Sequence, residues 1–217
     1  MADYYMGQGD EKAAYNALLK SFADQHIPID NKMPFLKKYF TKAAKNPTAE
    51  SVNQAMQLSQ NISKAHPERV EGWATMASLC LIEKKYGQAR DFFEQALAID
   101  QSSYSLWEDY FYCMSKQEDY KSMIDKGEKV LELFPTNAAM LYNIAHAYYA
   151  EKKYAKAIEL LQQAAVYSYD NNLLANIYNT LGDCHKELGH NEEAVKNWKL
   201  AQQKGIDTEE KIKKVDN

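Results

Sequence analysis

The stretch Glu71-Gly72-Trp73-Ala74-Thr75-Met76-Ala77-Ser78-Leu79-Cys80, followed past Glu83-Lys84-Lys85 by Tyr86, Ala89, Phe93 and Ala96, decides the fold. Trp73, Met76, Ala77 and Cys80 share one helical face, and Ala89, Phe93 and Ala96 share another, because side chains three and four positions apart lie above one another on a helix. Two apolar stripes with a short polar break between them read as a helical hairpin. Such a hairpin buries its apolar face on neighbouring copies, so copies are expected to follow.

They do. Thirty-four residues after Trp73 stands Trp107, followed by Tyr110, Tyr120, Met123, Gly127 and Val130. The same step reaches Leu141, followed by Ile144, Tyr154, Ala157, Leu161 and Ala164. A fourth copy begins at Tyr178 after a step of 37 and continues through Leu181-Gly182, Ala194, Trp198 and Ala201. The breaks recur as Lys116-Gln117-Glu118-Asp119, Glu151-Lys152-Lys153 and Leu188-Gly189-His190-Asn191, and Pro135 closes the second copy. The three extra residues fall around Tyr169-Asp170-Asn171-Asn172, where Asn and Asp favour a turn.

This pattern resembles the tetratricopeptide repeat: a 34-residue period, an aromatic followed by Leu-Gly or its equivalent, then Ala, an aromatic, Ala and Pro. The resemblance implies an all-α chain, a right-handed α-solenoid of stacked helical hairpins, with four repeats over residues 71–206. In the second copy Phe111 and Met123 stand where the family has small residues and Gly127 where it has a large one. A volume-conserving exchange within that hairpin is expected.

Upstream the pattern weakens. Phe35 to Ala44 with Tyr39, then Thr48 to Ala65 with Val52, Ala55 and Ile62, read as a degenerate unit. Tyr4 to Asp10 reads as the end of a first helix and its turn, with Ala13-Ala14, Leu18 and Phe22 on the helix that follows. Residues 1–70 are thus expected to hold degenerate units, the first of them truncated, with an exposed apolar face around Tyr4, Tyr5 and Phe22. Downstream, Gly205 stops a helix and Asp207-Thr208 caps a short charged one, so residues 207–217 read as a terminal capping helix and tail whose charged outer residues, Lys211 among them, face solvent.

Composition narrows the function classes. In 217 residues, 46% hydrophobic and 26% charged, 8 Gly and 5 Pro exclude a disordered or Pro-rich chain. With 26 Lys+Arg against 30 Asp+Glu the net charge is −4, which argues against nucleic acid or an anionic membrane as partner. No run approaches the ~18 apolar residues of a membrane span, and the N-terminus lacks the layout of a signal peptide. Three widely spaced cysteines, Cys80, Cys113 and Cys184, do not form a disulfide framework and favour a reducing compartment such as the cytoplasm; a periplasmic domain stays open if the chain is an excised fragment.

In the family the ligand contacts come from the concave face of each hairpin's first helix. Transferred by register, that face reads Glu71, Ala74, Thr75 and Ser78, then Ser105, Glu108, Asp109 and Tyr112. The third copy gives Ala139, Tyr142, Asn143, His146 and Tyr149, the fourth Asn176, Asn179, Thr180, Asp183 and Lys186. Tyr112, Tyr142, Asn143, His146, Tyr149, Asn179, Asp183, Glu108 and Asp109 are the candidate peptide-binding residues, since tyrosine hydroxyls beside amides can pack on and hydrogen-bond an extended peptide. The subclass that clamps C-terminal carboxylates needs Lys, Asn and Arg where this chain has Ala74, Ser78, Ala139 and Asn143. The acids favour a neutral or basic protein or peptide over an acidic one.

Enzyme signals are weak. Cys184-His185 and His190 fit no standard zinc spacing and read as packing of the fourth hairpin, and no phosphate-loop, dinucleotide or nucleophile-elbow motif occurs. No cofactor or metal is expected. His26 and His66 sit at helix ends, where a protonated imidazole suits the dipole. Tyr86, Tyr120 and Tyr154 recur at the period and read as packing. The leading reading is a non-catalytic protein-interaction module, monomeric or weakly self-associating. The alternatives are a scaffold segment that self-associates through its first hairpin and, more remotely, a helical-repeat RNA reader, which would need cations where this face offers Glu71, Glu108, Asp109 and Asp183.

Overall fold

The computed structural model describes residues 1–216, and among them every regular element is a helix. In order these are α1 (Ala2–Gly7), α2 (Glu11–Ala23), α3 (Ile29–Lys45), α4 (Ala49–Ala65), α5 (Val70–Ile82), α6 (Tyr86–Ile99), α7 (Tyr104–Lys116), α8 (Tyr120–Leu133), α9 (Ala138–Ala150), α10 (Tyr154–Tyr167), α11 (Asn171–Glu187), α12 (Asn191–Gln203) and α13 (Glu209–Asp216). The chain forms two compact units, Met1–Cys113 and Met114–Asn217.

One turn, used again and again, makes the hairpins. Lys84, Glu118 and Lys152 have φ of 57°, 56° and 58°, and Gly189 has 77°. These four positions are spaced by the sequence steps of 34, 34 and 37. At each, the next residue's N–H reaches back to the last turn of the preceding helix: Lys85 N to Cys80 O at 2.8 Å, Asp119 N to Met114 O at 3.0 Å, Lys153 N to Tyr148 O at 2.9 Å and His190 N to His185 O at 2.9 Å. This closes the carbonyls a helix end leaves open. Asp10 N to Tyr5 O at 3.0 Å, beside Gly9 at φ 75°, is the same turn at the start of the chain.

Side-chain caps start several of the helices. Asp10 accepts from Ala13 N, Asn137 from Met140 N and Asp170 from Leu173 N. Thr48 and Ser51 form a reciprocal capping box.

In the first unit the core runs through Leu18 and Phe22 of α2, Leu36 and Ala43 of α3 and Val52, Ala55, Leu58 and Ile62 of α4, all at most 4% exposed. The expectation of an open apolar face at the first hairpin is therefore corrected: Phe22 is fully buried, because α2 packs on α4, and of that group Tyr4 alone is strongly exposed. Lys32 is also in this core, 1% exposed, on the stripe that continues through Leu36 and Tyr39. Its Nζ donates to Asp24 O at 2.7 Å, Phe22 O at 3.2 Å and His66 Nε2 at 2.8 Å, one acceptor for each ammonium proton. Burial lowers the Lys32 pKa, and nearby Asp24 opposes that. His66 does cap α4, and its ring is buried with Nε2 2.8 Å from Lys32 Nζ.

In the second unit Ile144, Leu161, Ile177, Leu181 and Trp198 form the buried seam with Ala157, Ala164, Ala194 and Ala201. Gly182 is small because the indole lies on its backbone: a Cβ there would stand 2.3 Å from Trp198 Cδ1. A Cβ on Gly127 would stand 2.9 Å from Ile144 Cγ2, so Ile144 of the following hairpin fills the place of the missing large residue, which the sequence had assigned to an exchange inside one hairpin. The three extra residues of the fourth copy also act differently from the expected turn. Ser168 to Asp170 make the connection, while Asn171 and Asn172 are already helical, so α11 has 17 residues against the 13 of α9.

Candidate functional site

In the first unit, the small side chains of α5 leave a hollow. Glu71, Ala74, Thr75 and Ser78 line a cleft of about 350 Å³ with Ser105 of α7, and Met33 and Phe40 of α3 contribute to its lining. Thr75 Oγ1 donates to Glu71 O at 2.7 Å and Ser78 Oγ to Ala74 O at 2.9 Å, so both hydroxyls use their proton on their own helix and present lone pairs outward. Glu71 pairs with Arg69; burial pushes its carboxyl up, but the Arg69 hydrogen bond and charge bring it below the usual carboxylate value. The cleft is thus rich in acceptors.

Glu108, Asp109 and Tyr112 lie farther along α7 and do not line that cleft. Asp109 is half-buried, and burial first, then the charge of Glu108, raises its pKa. Tyr104 is pushed up to about 12 by burial and by Glu108. Tyr112, 46% exposed, meets Tyr86 edge-on at 6.0 Å between ring centroids.

In the second unit the equivalent face is filled with rings. Tyr142, His146 and Tyr149 run along α9 with successive centroids 6.2 Å apart, all three half-buried. Tyr120 meets His146 at 6.0 Å, and Tyr154 meets Tyr149 at 5.8 Å, each from the first residue of a second helix. Such tilted and edge-on contacts stabilise the row beyond its area burial. Burial lowers the His146 pKa, keeping the imidazole neutral near pH 7. Tyr149 is pushed up to about 12 by burial, with Asp183 adding to it, and Tyr142 is raised by burial and Asp183 against a hydrogen bond involving Thr180. Asn143 sits half-exposed beside them.

Asn179 and Asp183 of α11 join this face, but their oxygens are already engaged. Lys211 Nζ of α13 lies 2.8 Å from Asn179 Oδ1 and 2.6 and 2.8 Å from the two Asp183 oxygens, and Trp198 Nε1 donates to Asp183 Oδ1 at 2.9 Å. Lys211 is therefore not the purely solvating residue expected of the terminal helix. Tyr120, which reads from the sequence as packing, also borders this face. The signal was available: Tyr86 to Tyr112 and Tyr120 to His146 are both separations of 26 residues. Cys184 is fully buried, and His185 is half-buried beside His190 at 5.8 Å.

The family model for the tetratricopeptide repeat matches residues 70–103, the span of α5 and α6, and a second model of that repeat matches residues 136–199. The chain carries tetratricopeptide repeats. Over 97 residues it is 26% identical to tetratricopeptide repeat-containing protein trd-1 of Caenorhabditis elegans, covering 45% of this chain and 13% of that protein's length. Among solved structures, MamA aligns at a TM-score of 0.65 and 20% identity over 82% of this chain and 94% of MamA. YrrB, described as a TPR protein with an unusual peptide-binding site, aligns at 0.63 and 14% identity over 77% of this chain and 84% of its own. At these identities the likeness concerns the fold, an all-α solenoid of helical hairpins. The repeat is the mark of protein-interaction modules, typically non-catalytic. No helix among the described residues is long and apolar enough to cross a membrane.

Proposed function

We propose that the face formed by the first helices of the hairpins is concave and binds an extended segment of a partner protein, neutral or basic in charge. The observation that carries this is the half-exposed row Tyr142, His146, Tyr149 on α9, extended by Tyr120 and Tyr154 and bordered by Asp183. Rings with hydroxyl ends offer area to a peptide and hydrogen bonds to its backbone, and Asn143 offers both a donor and acceptor. The rings are already packed on one another, so the protein loses little freedom on binding and the ligand bears most of the ordering cost. The cleft on α5, with its outward lone pairs, favours a ligand that brings N–H donors.

Selection of a random 12-residue peptide library on the immobilised chain tests this reading. Enriched peptides are expected to carry aromatic and basic residues, and their binding to fall at least ~10-fold when Tyr142, Asn143 and His146 are all changed to Ala, as loss of a central aromatic anchor does at other interfaces. Unchanged affinity in the triple variant would move the interface elsewhere.

A further inference from the structure

The contact between Lys211 and α11 has the form of a recognition site holding a ligand. A lysine ammonium has three donors, and three acceptors surround this one: Asn179 Oδ1 at 2.8 Å and the Asp183 oxygens at 2.6 and 2.8 Å. The Trp198 ring lies beneath it, 5.7 Å from Nζ to the ring centroid, in the geometry of a cation–π contact. Asp183 is held by the Trp198 N–H from α12, so its carboxylate stays oriented whether or not Lys211 is there. The carboxylate side chain is 21% exposed and the lysine 39%: the anion belongs to the wall and the cation reaches in from outside.

The helix that delivers Lys211 is weakly held. None of residues 209–215 of α13 is buried. Its anchor lies just before it. Thr208, 1% exposed, donates its hydroxyl to Trp198 O at 2.9 Å. A segment tied at Thr208 can swing away without loosening the site it leaves.

We propose that Asp183, Asn179 and Trp198 form a subsite for a lysine ammonium, occupied in the free protein by the chain's own Lys211 and opened when a partner's lysine displaces α13. This deepens the peptide-binding reading above and names the basic group that the partner brings. Asp183 is close enough to Tyr142 and Tyr149 to act on their hydroxyls, which joins the subsite to the aromatic row. A tethered lysine competes at an effective concentration in the millimolar range, so an isolated amine is excluded and a peptide that also engages the rings is admitted. The device filters for partners with a lysine next to an aromatic-binding segment.

The test uses the full chain and two small probes, Nα-acetyl-lysine methylamide and its norleucine analogue, which lacks the ammonium. The readout is the Trp198 indole N–H resonance. Lys211→Met keeps the stem on the indole and empties the subsite. In that variant the lysine probe is expected to shift the indole saturably, at least tenfold more tightly than in the unaltered chain, and the norleucine probe to leave it unmoved. Adding Asp183→Asn to Lys211→Met, which keeps an acceptor for the indole but removes the charge, is expected to abolish the effect. Equal shifts from both probes, equal binding by the unaltered chain, or binding that survives Asp183→Asn would overturn the proposal. Should Lys211→Met fail to fold, Lys211→Ala decides by the same indole readout: a saturable shift with the lysine probe and none with the norleucine probe is expected, and no shift with the lysine probe overturns the proposal. If library peptides depend on Tyr142 and His146 while the lysine probe does nothing, the peptide-binding reading stands and the ammonium subsite falls.

Discussion

Ala74, Thr75 and Ser78 on α5 stand 68 residues before Tyr142, Asn143 and His146 on α9, so the same three positions of the repeat can be compared in the two units. In the first unit small side chains leave a cleft of about 350 Å³ lined by lone pairs. In the second, two rings take the equivalent places and stack with their neighbours. The hairpin turns are alike in both, down to φ values of 57° at Lys84 and 58° at Lys152. The repeat thus fixes where the backbone goes, and side-chain volume at three positions decides whether the face is a hollow or an aromatic wall. Two lysines extend the contrast. Lys32 is sealed in the first unit on carbonyls and an imidazole, whereas Lys211 lies at the surface of the second on a carboxylate.

The largest expected effect comes from how the hairpins close. In the first unit Gly72 admits the backbone of α4, with Ser59 O and Ser63 N 2.9 Å from where a Cβ would lie; in the second Gly182 admits the indole of Trp198. Gly182→Ala is expected to destabilise the second unit by about 3 kcal/mol, the upper end for overpacking, because the ring is buried and held by its hydrogen bond to Asp183. Gly127→Ala meets the branched Ile144 side chain at 2.9 Å from Cγ2 and gains helix propensity of about 1 kcal/mol, so it should cost less than Gly182→Ala, about 1 kcal/mol. Chemical denaturation of the two variants checks the pair; equal losses would contradict the packing described.

Next in size, Lys32→Met is expected to cost the first unit about 2 kcal/mol by leaving Phe22 O, Asp24 O and His66 Nε2 without their donor. A melting curve in which that unit is unaffected would show that the buried ammonium is not what ties α2 to α3.

Exchanging the faces tests the comparison itself. Tyr142→Ala with His146→Ser should open a hollow in the second unit at a cost of about 1 kcal/mol, since both side chains are only half-buried. Ala74→Tyr with Ser78→His should fill the cleft of the first. Library-selected peptides are expected to lose binding in the first exchange. If they bind both swapped chains as before, face volume is not what sets the site.

The smallest effect is a pH dependence. Burial holds the folded-state pKa of His146 below its ordinary 6.5, so near and below that value the unfolded chain binds the proton more readily. Stability contributed this way is present above pH 6.5 and lost as pH falls toward the lowered folded value, with His185 acting in the same direction. Thermal melts between pH 7.5 and 5.5 should show a shallower decline in His146→Gln. An identical decline would assign the effect to other groups.

Most of the fold is readable from the sequence because its punctuation is periodic. The breaks at Lys84, Glu118, Lys152 and Gly189 repeat with the anchors Trp73, Trp107, Leu141 and Tyr178, and Thr48 announces α4 before any packing is considered. What escapes is set by side-chain reach. Lys32 occupies a core position of the stripe that continues through Leu36 and Tyr39, and nothing local says that its ammonium finds two carbonyls and a ring. Lys211 reads as solvated because its partner Asp183 is 28 residues away, across a whole hairpin. Asn171 and Asn172 read as turn residues, yet Asp170 caps them into α11, since one good cap outweighs the turn preference of the residues behind it.

The central claim is tested most directly by hydrogen–deuterium exchange of the full chain with and without a library-selected peptide. Protection on binding is expected in α9 and α11, while α8, α10 and α12 stay unchanged past their first turn. Protection confined to those second helices would mean that the partner docks on the opposite surface and that the aromatic row is packing alone.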